Sequence, residues 1–286
     1  MTEQEQPKEE RIIEMDVQRL RDFRNHPFKV REDTQYKQLT ESIRHYGILN
    51  PLIVRPMPEG VYEIISGHRR KYAAASLGYR KVPVIIRILN DEDAIVNMVD
   101  ANLQREEILP SEKAAAYKMK YDAIKRKGGR KKNGQNDHSL KGVKTIQIIG
   151  KELGDSAKQV QRYLKITELI PELQELLDQG KISFSPAFEL AFLKEEEQRQ
   201  FLEAMKFAMT APSLSQAQRI KKLSQDGELT LDAMKDILNE IKKGEISRVV
   251  FKNEQLRRFF PKDYTIEQMK REILVILKSW STEHWQ

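Results

Sequence analysis

The sequence contains no cysteine and no long uninterrupted hydrophobic run. Without cysteine the chain cannot form disulfide bonds, use a thiolate as nucleophile or bind zinc through sulfur. No stretch approaches the ~20 apolar residues that a membrane-spanning helix needs, so we expect no membrane partner. The first ten residues are acidic and polar, unlike a secretory signal, and they favour a cytoplasmic location.

The composition is nevertheless that of a folded protein. Of the 286 residues, 39% are hydrophobic, which is enough apolar material for real cores. This length suits two or three domains of ordinary size. The net charge of +7 allows a nucleic-acid partner without requiring one.

The positive charge is concentrated in one segment. Residues 109–166 carry a net charge of +10, more than the total for the chain, whereas residues 1–108 are nearly neutral at −1. Six basic residues fall within eight positions of this segment: Lys125, Arg126, Lys127, Arg130, Lys131 and Lys132. A run of this kind is either a solvated, disordered linker or part of a surface that binds phosphates.

The hydrophobic pattern predicts a multidomain α+β protein. Short strands and helices alternate up to residue 108, which predicts a small α/β or α+β domain over residues 1–108. The next segment, 109–228, is purely helical, and 229–286 is a separate C-terminal segment. We expect strands at 12–15, 52–54, 62–65 and 82–88, helices at 39–46, 69–77, 91–99 and 111–126, and a loop at 127–142.

Two short helices follow the basic loop. Ile146, Ile149 and Leu153 lie on one helical face, and Gly154 permits a tight exit from that helix. Ser156 then begins a second helix as its N-cap, with a Gln three residues later that completes a capping-box pattern. This arrangement is typical of a helix-turn-helix, although an ordinary amphipathic hairpin has the same pattern.

The second helix carries no acidic residue, which suits a helix that lies in the major groove of DNA. Gln and Arg side chains can pair with adenine and guanine edges, and Lys can contact phosphates. The predicted DNA-binding residues are Ser156, Lys158, Gln159, Gln161, Arg162 and Lys165, together with Lys131 and Lys132 of the basic loop.

Two polar clusters stand out in the N-terminal domain. Gly67, Arg69 and Arg70 lie between a predicted strand and a predicted helix, which is the arrangement of a phosphate cradle at a helix N-terminus. The second cluster is Ala101-Asn-Leu-Gln-Arg, in which the Asn102 oxygen suits Mg²⁺ or a polar ligand. Surface helix charges and a polar interdomain turn are the alternatives.

Taken in this order, these segments resemble the ParB/RepB family of partition proteins. The family's GERRxRA-like motif matches Gly67-His-Arg-Arg-Lys-Tyr-Ala, and its ENxQR-like motif matches Ala101-Asn-Leu-Gln-Arg. Its first motif matches His26-Pro-Phe-Lys-Val-Arg, and a helix-turn-helix follows in both. The resemblance covers about residues 11–225.

The resemblance implies a dimer that binds a centromere-like, palindromic double-stranded DNA site. It also implies CTP and Mg²⁺ in the N-terminal domain, a clamp that closes on DNA, and a ParA-type ATPase partner in plasmid or chromosome segregation. Carried over to this sequence, the nucleotide-binding residues are Gly67, His68, Arg69, Arg70, Asn102, Gln104 and Arg105, and Asn102 also helps to hold the metal.

The sequence departs from the family pattern in both nucleotide motifs, at Lys29 and Val30 of the first motif, and at Ser185-Pro-Ala after the helix-turn-helix. His68 replaces the Glu of the GERR motif, and Ala101 replaces a Glu that the family uses in metal-assisted hydrolysis. CTP hydrolysis is therefore doubtful, and the divergence fits a plasmid or mobile-element relative. A ParB-like repressor without nucleotide turnover and a ParB-like nuclease are the alternatives. The N-terminal fold also resembles sulfiredoxin, whose chemistry needs the cysteine that this chain lacks.

The C-terminal segment contains one apolar stripe at helical spacing, preceded by Thr265 as a predicted cap with Gln268. Its members are Ile266, Met269, Ile273, Ile276, Leu277 and Trp280. The stripe either packs on the chain's own core or forms a dimer interface. A short strand is also predicted near residues 249–251.

Overall fold

The computed structural model describes residues 11–28, 30–104, 108–129, 138–240, 256, 258–261 and 263–284. The chain forms two compact units, residues 1–239 and residues 240–286. Within the described residues the structure is mixed α+β, as predicted: strands occur in the N-terminal part and helices follow. The finer division into three domains stays a prediction.

A five-stranded mixed sheet organises the N-terminal part. Its strands are β1 (Ile12–Asp16), β2 (Leu20–Arg21), β3 (Leu52–Pro56), β4 (Tyr62–Ser66) and β5 (Lys81–Ile86). Their order is β1-β5-β3-β4-β2. The β1–β5 and β3–β4 pairs are antiparallel, and the β3–β5 and β2–β4 pairs are parallel.

Helices cover both faces of this sheet. Helices α2 (His68–Ser76) and α3 (Asp91–Leu103) pack on opposite faces, and α1 (Thr34–Tyr46) packs on α2. Because successive side chains of a strand point to opposite faces, Ile64 and Ile65 of β4 enter two different cores. Ile64 packs with Ala74 of α2, and Ile65 packs with Met98 of α3. The two polar clusters of the sequence therefore lie on helices that flank one strand.

The rest of the first unit is helical. Its helices are α4 (Pro110–Gly129), α5 (His138–Leu153), α6 (Ala157–Ile166), α7 (Pro171–Asp178), α8 (Phe184–Leu190), α9 (Glu195–Ala208), α10 (Leu214–Asp226) and α11 (Leu231–Asn239). Helices α7 to α11 share one apolar core.

Helix α4 connects the sheet to the following helices. Ala116 packs in the core beneath the sheet, whereas the adjacent Tyr117 packs with Ile149 of α5 and Val160 of α6. Both Ala116 and Tyr117 are fully buried. A single helix is therefore in contact with α3 and with the predicted helix-turn-helix.

Two sequence predictions need correction. The loop predicted at 127–142 is wrong at both ends, because α4 continues to Gly129 and α5 begins at His138. Gly is tolerated near a helix end, so Gly128 and Gly129 did not stop α4 where the composition indicated. Helix α3 also extends past residue 99 to Leu103, which places Asn102 on a helix.

The second unit contains α12 (Ile266–His284). Thr265 and Gln268 form the predicted capping box: the Thr265 N–H donates to Gln268 Oε1 at 2.8 Å and the Gln268 N–H donates to Thr265 Oγ1 at 3.3 Å. Of the apolar stripe Met269 is buried, but Ile276 and Leu277 are more than half exposed. The predicted strand near 249–251 lies outside the described residues.

Candidate nucleotide and DNA interfaces

Gly67 forms the turn between β4 and α2, and only glycine fits there. Its backbone has φ +107°, in the left-handed region. A Cβ on this residue would lie 2.8 Å from Leu52 Cγ and 3.2 Å from Arg70 Nη2. The missing side chain therefore leaves room for the Arg70 guanidinium beside the N-terminus of α2.

The Arg70 guanidinium is held by backbone oxygens. Its Nη1 donates to the carbonyl of Asn50, and to that of Pro51 at 2.9 Å. Burial lowers the pKa of Arg70, although an arginine stays charged at neutral pH. No carboxylate pairs with it among the described residues. A cation with only neutral acceptors at a helix N-terminus fits a phosphate group.

Arg69 is already paired within the protein. Its Nη2 lies 2.5 Å from Asp33 Oδ1, and its guanidinium carbon lies 5.8 Å from the ring centre of Tyr36. The same Asp33 oxygen accepts from the Tyr36 N–H and so caps α1. A phosphate bound by Arg69 would have to compete with Asp33, or bind beside it.

His68 is directed into the protein. The residue is 3% exposed, and its Nε2 accepts from the Phe23 N–H at 3.3 Å. Its ring centre lies 3.9 Å from that of His26, whose Nδ1 contacts the Phe28 carbonyl at 2.7 Å. These contacts tie α2 to the segment from Phe23 to Phe28. The place of His68 in the nucleotide set stays a prediction.

A second set of contacts, to Asp22, holds the same helix. Lys71 Nζ lies 3.0 Å from Asp22 Oδ1, and the Tyr72 hydroxyl donates to the other Asp22 oxygen. This hydrogen bond raises the pKa of Tyr72 to about 12. Lys71 and Tyr72, the residues after Arg70, thus anchor α2 to Asp22.

The second cluster meets the turn at a shallow pocket. Ser66, the residue before Gly67, lines a pocket of about 210 Å³ with Asp100, Ala101 and Gln104. Neither Arg69 nor Arg70 lines it within the described part of the chain. The structure thus brings the Gly67 turn close to Gln104, but not the two guanidiniums. This volume is below the ~300 Å³ of a typical whole-ligand pocket, so it suits part of a nucleotide.

Asn102 and Arg105 complete this cluster in the sequence. Asn102 is 3% exposed, and its Nδ2 donates to the Met98 carbonyl at 2.8 Å. It does not line the pocket that Ala101 and Gln104 line, so its contact with a nucleotide stays a prediction. Arg105 lies outside the described residues.

The described residues do not form a protein-built metal site. They contain no group of three or more acidic or histidine side chains that could hold a metal ion. Asp100, the nearest carboxylate to Ala101 in the sequence, lies 2.5 Å from Lys120 Nζ. Mg²⁺ would therefore have to be held mainly by the phosphates of a nucleotide, as is common for this ion.

Helices α5 and α6 form the predicted helix-turn-helix. The turn comes so close to α5 that a Cβ on Gly150 would lie 2.6 Å from the Asp155 carbonyl oxygen. The Asp155 N–H donates to the Gly150 carbonyl at 3.0 Å, and Gly154 has φ +73°. Ser156 is the N-cap of α6, as predicted, and it accepts from the Gln159 N–H at 3.1 Å.

The turn is tied to α4 by Asp155. Its carboxylate accepts from the Tyr117 hydroxyl and lies 2.8 Å from Lys113 Nζ. Burial alone would raise the pKa of Asp155, but the hydrogen bonds from Lys113 and Tyr117 hold it below its usual range. Sequence analysis missed these partners because they lie about 40 residues before the turn in the chain.

The predicted DNA-contacting side chains fall into two groups. Lys158 and Gln161 are exposed on α6. Arg162 instead packs on α8: its Nη2 donates to Ser185 Oγ at 2.9 Å, and its guanidinium carbon lies 4.9 Å from the Phe184 ring centre. Lys165 lies 2.5 Å from a carboxylate oxygen of Glu168 and 4.4 Å from the ring centre of Phe192. Gln159 is half-buried, and Lys131 and Lys132 lie outside the described residues.

The fold and these two clusters define a class of protein: an α+β domain with a glycine turn at a helix N-terminus, joined by α4 to a helix-turn-helix. Residues 1–103 match the family model described as the ParB N-terminal domain. The N-terminal part of the chain, about a third of its length, is thus similar to the ParB N-terminal domain.

Curated relatives match a longer part of the chain. The chromosome-partitioning protein Spo0J of Thermus thermophilus is 29% identical over 65% of this chain and 62% of its own length. The nucleoid occlusion protein of Bacillus mycoides is 33% identical over 66% of this chain and 59% of its own length. The chain thus spans about three fifths of the length of these relatives.

A solved structure is also similar. It is the C-terminally truncated chromosome-partitioning protein ParB of Caulobacter crescentus, complexed to its centromeric parS site. The match covers 80% of this chain and 100% of that chain, with 21% identity and a TM-score of 0.43. Within the described residues of our chain, no helix is long and apolar enough to cross a membrane.

Proposed function

We propose that this protein is a sequence-specific DNA-binding partition protein whose hold on DNA is regulated by CTP. One observation carries the proposal: a ParB N-terminal domain is followed by a helix-turn-helix whose second helix has no acidic residue. A carboxylate on that helix would be repelled by phosphates, and Lys158 and Gln161 are exposed on it. The names of the two curated relatives, chromosome partitioning and nucleoid occlusion, support a role on the chromosome, and a plasmid role rests on the motif divergence alone.

The nucleotide part of the proposal rests on the Gly67 turn. Gly67 leaves room for a close approach of a phosphate, and Arg70 offers a cation that no carboxylate neutralises among the described residues. Asn102 and Gln104 would contact the nucleotide from α3, and the phosphates would bring Mg²⁺ with them. The cytosine base is assigned from the motif resemblance to the ParB/RepB family, because the residues themselves select phosphates and not a base.

The assembly part follows from symmetry. A palindromic DNA site and a closed clamp both require two copies of the chain. The exposed apolar residues of α12 support a dimer interface in the second unit. A ParA-type ATPase as partner is proposed on the family resemblance alone.

A transcriptional repressor without nucleotide turnover is the second candidate. Ala101 stands where the family uses a Glu for hydrolysis, and the neighbouring Asp100 is paired with Lys120. Under this reading the chain binds a nucleotide and DNA but does not cycle between open and closed states.

A chromatin pull-down followed by sequencing of the bound DNA separates these candidates. A sliding clamp predicts enrichment that spreads over kilobases around each site, whereas a repressor predicts narrow peaks at the site itself. Gly67→Ala should turn broad enrichment into narrow peaks if the nucleotide drives spreading. The absence of any site-specific enrichment would contradict both candidates.

A further inference from the structure

A buried lysine lies between the two proposed binding clusters. Lys120 of α4 has a side chain that is 0% exposed. Its Nζ lies 2.5 Å from Asp100 Oδ1 on α3 and 2.7 Å from Glu152 Oε2 on α5. One ammonium group is thus shared by carboxylates on two helices that α4 separates in the chain.

Lys120 depends on the two carboxylates more than either carboxylate depends on Lys120. An ammonium removed from water costs several kcal/mol unless opposite charges compensate it. The side chains of Asp100 and Glu152 are 43% and 50% exposed, so water can solvate either of them without the lysine. Lys120 has no such alternative, because its side chain has no access to solvent. A change at one carboxylate therefore changes how strongly Lys120 holds the other.

Each carboxylate belongs to a different proposed site. Asp100 lines the pocket that Ala101 and Gln104 share with the Gly67 turn. Glu152 lies two residues before Gly154, at the end of α5 where the helix-turn-helix turns. The strength of each ion pair of Lys120 depends on the positions of the charged atoms, so a small displacement of either carboxylate changes it.

An apolar contact runs beside this ionic link. Leu103, at the end of α3, packs with Tyr117, Ile149 and Val160 of the helix-turn-helix core. Apolar packing is non-directional and tolerates small displacements better than a charged hydrogen bond does. The ion pairs of Lys120 are therefore more sensitive to the position of α3 than the apolar contact is.

We propose that Lys120 is the positioning residue that couples nucleotide binding at α3 to DNA binding at α6. The inference rests on the proposed function and names its regulation. A nucleotide that displaces Asp100 from Lys120 leaves Lys120 paired with Glu152 alone, which changes how the end of α5 is anchored. By linkage, DNA bound at α6 must change nucleotide affinity by the same factor.

The test measures this coupling factor with the full chain. The affinity for a cognate DNA duplex is measured with and without CTP and Mg²⁺, and the affinity for CTP is measured with and without the duplex. We expect wild type to show a factor of roughly 5 to 150, as is typical of coupled sites. In Lys120→Met the factor should fall below about 2, with each single-ligand affinity within about threefold of wild type.

Three further variants separate coupling from mere stability. Lys120→Arg keeps the cation and should retain most of the coupling. Glu152→Gln removes only the ion pair between Lys120 and α5, and it should abolish the coupling. This variant tests the role of Lys120 if Lys120→Met does not fold. Lys118→Met is the matched control, because Lys118 pairs with Asp122 on its own helix and is half exposed. It should keep the wild-type factor.

The outcomes are distinct. A full coupling factor in Lys120→Met or in Glu152→Gln overturns the role of Lys120. Wild type that binds CTP and DNA independently also overturns it, while the two binding functions stand. Wild type that binds no nucleotide in the first titration defeats the proposed nucleotide function itself, and the coupling with it.

Discussion

At the scale of single residues, a side chain at Gly67 would meet both backbone strain and a steric conflict. Gly67→Ala places a Cβ 2.8 Å from Leu52 Cγ in a backbone with φ +107°, so we expect a loss of about 3 kcal/mol in unfolding free energy. Nucleotide binding should be lost as well, because the Arg70 guanidinium must move. Urea unfolding and calorimetric titration with CTP measure the two effects.

Gly78→Ala is the control for this prediction. Gly78 has φ +83°, but nothing lies within 4 Å of a Cβ built there. The substitution should cost only the backbone strain, about 1 kcal/mol, and leave nucleotide binding intact. Equal losses of stability and binding in both variants would contradict the steric argument.

We expect Asp155 to make the free energy of unfolding depend on pH. Its folded-state pKa is lowered by the Lys113 and Tyr117 hydrogen bonds, which outweigh burial. A carboxylate with a lowered pKa contributes stability that is complete above its unfolded-state pKa of about 3.9 and is lost as the pH falls through the folded-state pKa. Asp155→Asn should therefore be less stable than wild type at pH 7, by a difference that shrinks below about pH 4.

Unfolding by urea at a series of pH values measures that difference. Tyr117→Phe removes one of the two donors and should show a smaller acid-dependent loss. A difference between wild type and Asp155→Asn that stays constant from neutral pH to about pH 2.5 would show that Asp155 is not held as the structure indicates.

At the scale of elements, local propensity and packing disagree at Gly150. Ala is favoured over Gly inside a helix by roughly 1 kcal/mol, so propensity alone predicts that Gly150→Ala stabilises α5. The structure predicts the opposite, because the Cβ would meet the Asp155 backbone oxygen at 2.6 Å and the turn would have to open. We expect a lower melting temperature and at least tenfold weaker specific DNA binding.

Gly154→Ala is the matched change in the same turn. It introduces strain at φ +73° but no contact, so DNA binding should weaken less than in Gly150→Ala. Nucleotide affinity in the absence of DNA should be unchanged in both variants. A stabilised Gly150→Ala with normal DNA binding would refute the close approach of the turn to α5.

Helix α6 presents two kinds of basic side chain. Arg162 is oriented by Ser185 and Phe184 of α8, whereas Lys158 is exposed. Arg162→Ala should cost ~1–3 kcal/mol of specific binding, while binding to random DNA changes little. Lys158→Ala should weaken both kinds of binding and reduce the salt slope by about one.

Fluorescence anisotropy with cognate and scrambled duplexes at several salt concentrations distinguishes the two roles. If Arg162→Ala leaves the ratio of cognate to scrambled affinity unchanged, Arg162 does not read bases. Its contacts with α8 would then be purely structural.

The sequence allowed the strands and the helix-turn-helix to be predicted because their signals are local. The strands at 52–54 and 62–65, the Ser156 cap and the Thr265 capping box were confirmed by the structure. The Asp100–Lys120–Glu152 link was not predicted, because its members lie 20 and 32 positions apart and share no pattern. Only the packing of α4 between two elements brings them together.

At the scale of the whole molecule, the charge distribution agrees with different ligands for the sheet domain and for the helices that follow it. The +10 segment contains α4, α5 and α6, whereas the sheet domain is nearly neutral and places its arginines in specific contacts. Arg69 pairs with Asp33 and Arg70 with backbone carbonyls. The N-terminal domain is thus suited to a small anionic ligand, and α6 to an extended one.

Titration calorimetry with CTP, in the presence and absence of cognate DNA, tests the central claim most directly. ATP and GTP serve as ligand controls, and Arg80→Ala, an exposed arginine four residues after α2, is the control for Arg70→Ala. We predict that wild type and Arg80→Ala bind CTP with an affinity that DNA changes, and that Arg70→Ala loses at least tenfold. No binding of any nucleotide, with DNA present or absent, would contradict the account.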